Sequence, residues 1–263
     1  MNGRFVSSRL QVCDLARDLD PVCRPVTVAR MCGRYSLARE QSEVRVGSER
    51  VGHRARARYN IAPTQRASVI RRTTAGLAVD ELRWGLVPRW SRGDGGGGAA
   101  GATAGPLVNA RAETLAGKPA FRDAFRDRRC LVLADGFYEW QVLGRSRQPW
   151  RFTRSGGEVF LMAGLWEWWL APGRATPLET FTVITTAPNA VVAPIHDRMP
   201  ACLDPESAAL WLDPRTPVDM LQSLLRPGPD AEWTRHRVDP IVGQARIDDP
   251  RCIEVLPEQP SLF

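Results

Sequence analysis

Short apolar runs broken by glycine and proline dominate the chain. "CLVLADGFYEWQV", "PWRFTRS", "EVFLMAGLWEWW" and "TFTVITTAP" are rich in β-branched and aromatic residues, which predicts strands separated by turns. "ASVIRR" and "LAVDELRW" predict two earlier strands, and "EWTRHRVDP" a late one. Helical spacing is rarer. In "KPAFRDAFRDRR", Phe121 and Phe125 stand four apart on one helical face. "SLAREQSEVRVGSE", "DPESAALWLD" and "PVDMLQSLL" predict further short helices, while "YNIAPTQ" (Tyr59–Gln65) reads as a proline-interrupted loop. Strands and helices do not alternate as βαβ units. The pattern predicts an α+β fold: an antiparallel, barrel-like β-sheet core with peripheral short helices.

Two stretches stand outside this pattern. Ser91–Pro106, "SRGDGGGGAAGATAGP", is nearly free of large side chains and cannot bury enough surface to order itself. It predicts a flexible Gly/Ala-rich loop at 91–106 inside one domain spanning 32–263. It lacks the Gly-Lys-Ser/Thr ending of a phosphate-cradling loop. Residues 1–31 carry no apolar segment of signal-peptide type, since Asp14, Asp18 and Asp20 interrupt them. They read as an extension outside the domain, either a misplaced start or a removable leader.

Composition narrows the function. No apolar run approaches the ~20 residues that span a bilayer, so a membrane role is not expected and the cytoplasm is. The formal charge of +7 permits a polyanionic partner without requiring one. The six cysteines include no C-x-x-C pair, and His53, His196 and His236 lie far apart. Neither a disulfide scaffold nor a metal site is expected. Cys130 and Cys202 read as small buried hydrophobes.

Reactive and polar residues gather in four stretches: "MCGRY" (Met31–Tyr35), "VNARAET" (Val108–Thr114), "GFYEW" (Gly136–Trp140) and "IHDRMP" (Ile195–Pro200). Together with "YNIAPTQ" and "RWGLVP", in this order, they resemble the SRAP family of SOS-response-associated peptidases. The resemblance runs from Met31 nearly to the C-terminus. Residues 1–30 have no counterpart in it. Near the end, "VDPIVGQARIDDP" matches only loosely, with Gly243 where an asparagine is expected.

The resemblance implies a sensor of abasic sites in single-stranded DNA, one that shields the lesion during replication-coupled damage response. It implies covalent capture through an N-terminal cysteine, with β-elimination (lyase) chemistry through the same Schiff base. Cys32 is that cysteine if Met31 is the true start or precedes a processing point. A terminal cysteine has a free α-amine as well as a thiol. The amine attacks the ring-opened aldehyde of the abasic sugar, and the thiol then closes a five-membered thiazolidine. An internal cysteine has only an amide nitrogen, whose lone pair is delocalised.

The resemblance assigns acid/base work to Glu139, whose carboxyl would be raised in a half-buried pocket. His196, with an ordinary pKa near 6.5, is assigned to protonating the sugar oxygen. Asn109 would orient sugar or amine. Arg34, Arg111 and Arg198 are the expected phosphate contacts. Trp84 would stack on a DNA base, with Leu86, Val87 and Pro88 as an apolar wedge. Thr185 and Thr186 would line the pocket and bind a phosphate. Trp166–Trp169 reads as structural. No cofactor is expected, and the protein is expected to act as a monomer on abasic single-stranded DNA, joining the nucleoid when bound. Two other functions fit the same residues. One is a cysteine peptidase with Cys32 as nucleophile and His196 as base, able to remove its own leader. The other is a non-covalent binding module for modified DNA.

Overall fold

The apolar run at Cys130–Ala134 has no exposed surface and forms the centre of the molecule. The structure is a computed structural model, which describes residues 33–92 and 106–257. Its strands are β1 (Tyr35–Leu37), β2 (Gln41–Val46), β3 (Glu49–Arg54), β4 (Arg58–Ile61), β5 (Arg66–Thr73), β6 (Gly76–Trp84) and β7 (Asn109–Arg111), followed by helix α1 (Pro119–Asp127). Then come β8 (Arg129–Ala134), β9 (Gly136–Leu143), β10 (Ser146–Arg154), β11 (Phe160–Trp169), β12 (Leu178–Thr186), β13 (Met199–Pro200) and β14 (Cys202–Leu203). Helices α2 (Pro205–Leu212) and α3 (Val218–Leu224) and strand β15 (Trp233–Arg237) complete the set.

Strands β12, β6, β5, β8 and β11 pair in a ring, so the expected barrel is present. Closing a sheet removes its unpaired edges. Four of the five pairings are antiparallel. The fifth, β12 with β6, is parallel and matches Thr180 to Arg83 and Phe181 to Trp84. β7 also lies parallel to β12, with Val183 opposite Asn109 and Thr185 opposite Arg111. Val69, Ile70, Leu82, Leu131, Val132, Phe181 and Ile184 are fully buried along these strands. α1 lays Phe121 and Phe125 on the barrel, where Phe125 meets Trp211 of α2 at 5.9 Å between ring centroids. Asp204 caps α2 by accepting the Ser207 N–H at 2.8 Å, a contact of the kind that contributes about 1 kcal/mol.

A second, antiparallel sheet runs β15-β10-β9-β1-β4. The chain crosses from barrel to sheet at Asp135, between β8 and β9. Its buried carboxylate accepts from Ser36 Oγ at 2.7 Å, from the Ala38 N–H at 2.6 Å and from Arg151 Nη2 at 2.9 Å. Arg151 lies so close to Gly136 that a Cβ there would sit 2.5 Å from its Nε. This explains the glycine in "ADGFYEW". Gly85 is fixed for another reason: φ is +115°, and a Cβ would meet Pro106 at 2.6 Å.

Two expectations are corrected. "SLAREQSEVRVGSE" forms no helix; it supplies the end of β1 and all of β2, which pairs with β3 as a separate hairpin. Val44 and Val46 are buried at every second position there, the period of a strand. In "YNIAPTQ", Tyr59–Ile61 belong to β4, and only the remainder is a turn.

Candidate functional site

The site lies where the two sheets meet. Glu139 stands on β9 opposite Trp150 of β10, with 1% of its surface exposed. His196 lies in the turn between β12 and β13, its side chain 8% exposed. Glu139 Oε2 and His196 Nε2 are 3.7 Å apart. His196 Nδ1 accepts the Arg198 backbone N–H at 3.0 Å, so in the neutral ring the proton sits on Nε2 and faces the carboxylate. Burial holds the imidazole below its ordinary pKa of 6.5, outweighing Asp197, whose exposed carboxylate lies 3.1 Å from Nδ1 and favours the charged form.

Strand β9 also receives the chain that follows Cys32. The Tyr138 N–H donates to the Arg34 carbonyl at 3.0 Å, and Tyr35 and Phe137 pair directly. Arg34 turns its half-buried guanidinium into the protein. Nη1 donates to Asn60 Oδ1 at 3.0 Å and to the Val242 carbonyl at 2.6 Å, and Nη2 to the Gly243 carbonyl at 3.0 Å. Asn60 is fully buried and donates in turn to the Val242 and Ile247 carbonyls. Arg34 thus straps the start of β1 to residues 242–247. In the free chain its donors point to protein oxygens.

The remaining residues cluster beside β12. Asn109 and Arg111 sit on β7, Arg111 exposed. Arg198 donates from Nη2 to the Thr185 carbonyl at 2.6 Å and grips both oxygens of Glu113, at 2.8 and 2.9 Å. Thr185 and Thr186 are buried, and the Thr186 hydroxyl donates to the Leu225 carbonyl at 3.0 Å, so it is turned away from any phosphate. Trp84 is corrected too. It is 1% exposed, donates from Nε1 to the Val108 carbonyl at 2.9 Å, and packs on Tyr35 and Phe181. Leu86, Val87 and Pro88 are likewise buried. This segment is core, with no face free for a base. Within Trp166–Trp169, Trp169 is buried.

Cys32 and Met31 lie outside the described residues, as does most of the 91–106 loop. Sequence reasoning missed Asn60, Glu113 and Asp135, although each lies in or beside a quoted motif. Their side-chain partners are 16 to 187 positions away, a distance no local pattern encodes. Among the described residues, no group of three or more His, Cys, Asp or Glu side chains could hold a metal ion, and no helix is long and apolar enough to cross a membrane. A cavity of about 520 Å³, lined in part by Arg56, Arg58, Ser68, Glu81 and Arg246, includes none of the site residues.

The three histidines share one consequence. His53, His196 and His236 are all pushed below 6.5, chiefly by burial. The unfolded chain therefore binds protons at pH values where the folded chain refuses them. Stability should rise with pH in that window and be lost as pH falls through the ordinary histidine range. Urea unfolding at about pH 7 and about pH 5 is expected to give a lower midpoint at the acidic value, with an unchanged slope. A midpoint that rises on acidification would contradict this.

Comparison with known proteins places the architecture and the motifs together. The family model described as SOS response associated peptidase (SRAP) matches residues 31–245. The chain is 36% identical over 230 residues to the abasic site processing protein YoqW of Bacillus subtilis, covering 85% of this chain and 99% of that one. It is 30% identical over 195 residues to the abasic site processing protein YedK of Escherichia coli, covering 69% and 79%. A crystal structure of a protein from Bacteroides thetaiotaomicron superposes with a TM-score of 0.67 at 28% identity, over 75% of this chain and 84% of that one. The chain belongs to the SOS response associated peptidase (SRAP) family.

Proposed function

We propose that this protein processes abasic sites in single-stranded DNA, and that Cys32 forms the covalent bond to the lesion. Relatives named abasic site processing proteins support the first part. The observation that carries the second is the buried carboxylate–imidazole pair of Glu139 and His196, 3.7 Å apart, on the strand against which Arg34 is laid. Counting on by two positions from the Tyr35–Phe137 pair, Gly33, immediately after Cys32, falls opposite Glu139.

The chemistry uses both partners. Opening the closed sugar requires a proton to leave the C1′ hydroxyl and one to reach the ring oxygen. Glu139 takes the first and returns it to the ring oxygen, toward which the His196 Nε2–H donates a hydrogen bond that supports the developing charge. The α-amine of Cys32 adds to the aldehyde, water leaves, and an imine forms. The thiol S–H then adds across C=N, sulfur to carbon and hydrogen to nitrogen. The sum is one water lost. The same imine also gives β-elimination, the lyase branch. Arg111, exposed on β7, and Arg198 supply phosphate contacts.

The test is direct. A chain whose first residue is Cys32 is incubated with an oligonucleotide carrying one abasic site, and the product is weighed intact. The expected mass is the sum of the two minus one water, stable to heating. A chain retaining residues 1–31, verified by N-terminal sequencing, is expected to give none, because its Cys32 nitrogen is an amide. Equal adduct from both would overturn capture through the α-amine.

A further inference from the structure

We propose that Glu113 occupies the seat of a DNA phosphate: its carboxylate fills the guanidinium fork of Arg198 in the free chain, and DNA binds by exchanging phosphate for carboxylate. The inference rests on the function proposed above and adds a residue that sets its affinity.

A guanidinium fork accepts a carboxylate or a phosphate in the same two-point geometry. Both outer nitrogens of Arg198 are engaged by Glu113, at 2.8 and 2.9 Å. The two sides of the pair are unlike in burial. The Arg198 side chain is 12% exposed, whereas that of Glu113 is 54% exposed. Arg198 has a second anchor, the Thr185 carbonyl at 2.6 Å, which remains if Glu113 departs. The turn carrying Glu113 is anchored independently, because Gln222 of α3 donates to the Ala112 carbonyl at 2.7 Å. Exchange therefore needs only a side-chain rotation of Glu113 into water.

Charge points the same way. Arg111 lies two residues before Glu113, is exposed, and adds to the field that keeps the Glu113 carboxyl ionised. A phosphate approaching Arg198 meets that carboxylate already seated on it. A carboxylate left in place repels the incoming anion; one that moves aside must first give up its own pair. Either way it lowers affinity for the strand.

Glu113→Gln removes the charge and keeps the shape. Fluorescence anisotropy with an intact single-stranded oligonucleotide is expected to show binding about fivefold tighter than wild type at low salt, the gain shrinking as salt rises. Glu113→Ala should show the same gain. Glu43→Gln makes the same change in net charge on the exposed β2–β3 hairpin and should show little of it. Thermal unfolding confirms that each variant is folded. Unchanged or weaker binding by both Glu113 variants would make Glu113 a bystander or a support for Arg198, and would overturn the proposal. Inorganic pyrophosphate serves as a second probe. If no form binds DNA but both Glu113 variants bind pyrophosphate about fivefold tighter, the exchange stands and the DNA function falls. If the variants gain on neither probe, the exchange falls.

Discussion

Cys32→Ser is expected to abolish the heat-stable adduct with abasic single-stranded DNA while leaving a Schiff base that borohydride can trap. Serine keeps the α-amine, so its attack on the aldehyde survives, and the amine needs no tuning because its ordinary pKa is about 7.7–8.0. What is lost is ring closure. A hydroxyl is a poorer nucleophile than a thiol, and the oxygen ring it would form reopens in water. Glu139 and His196 cannot compensate, since they move protons and supply no third bond to carbon. Acetylating the α-amine of the Cys32 chain is the reciprocal experiment, and it should abolish both the trapped and the stable species. These two results separate the scheme from a thiol peptidase, which needs no free amine. Undiminished heat-stable product from the serine variant would sink it.

Trp84→Ala is expected to destabilise the fold by about 3–5 kcal/mol, the range for emptying a large aromatic site in a core. Trp84 sits at the parallel joint that closes the barrel, opposite Phe181. Its ring packs edge-on against Tyr35 at 5.0 Å and stacks on Phe181 at 6.3 Å. The same change removes the indole N–H from the Val108 carbonyl, which keeps only the Val183 N–H. Urea unfolding would show the loss as a lower midpoint. A base-stacking tryptophan would behave in the opposite way, with DNA affinity reduced and stability nearly intact. A stability loss under 1 kcal/mol would contradict the core assignment.

The sequence reported most reliably where burial is one-sided or complete. Phe121 and Phe125 predict α1, and the run at Cys130–Ala134 predicts the central strand, because periodicity registers local burial. It failed where tertiary pairing overrode local preference. The Glu- and Arg-rich stretch at 36–49 has helical composition, yet over Gln41–Val46 its partner strand imposes period two. Glu139 shows the limit most clearly. Alternation between Tyr138 and Trp140 would place it in water, but β9 is covered on both faces near the seam, and Tyr138 and Glu139 are both buried. Glu139 and His196 were legible as motif residues; their 3.7 Å approach was not, because it joins β9 to the turn after β12, 57 positions on. Trp84 marks the converse case, since a motif residue can serve the scaffold instead of the ligand.

The parallel joint between β6 and β12 also sets an order of events on the ribosome. Its two strands are separated by about a hundred residues, so its closure carries the entropic cost of a long loop. Arg34 and Tyr138 are similarly far apart, and His196 is synthesised later still. At about five to twenty residues per second, roughly ten to thirty seconds pass between synthesis of Cys32 and of His196. Throughout that interval the nascent chain carries its cysteine without the acid–base pair. The Glu139–His196 pair therefore assembles only after His196 has been made, and a nascent chain stalled before that point lacks it.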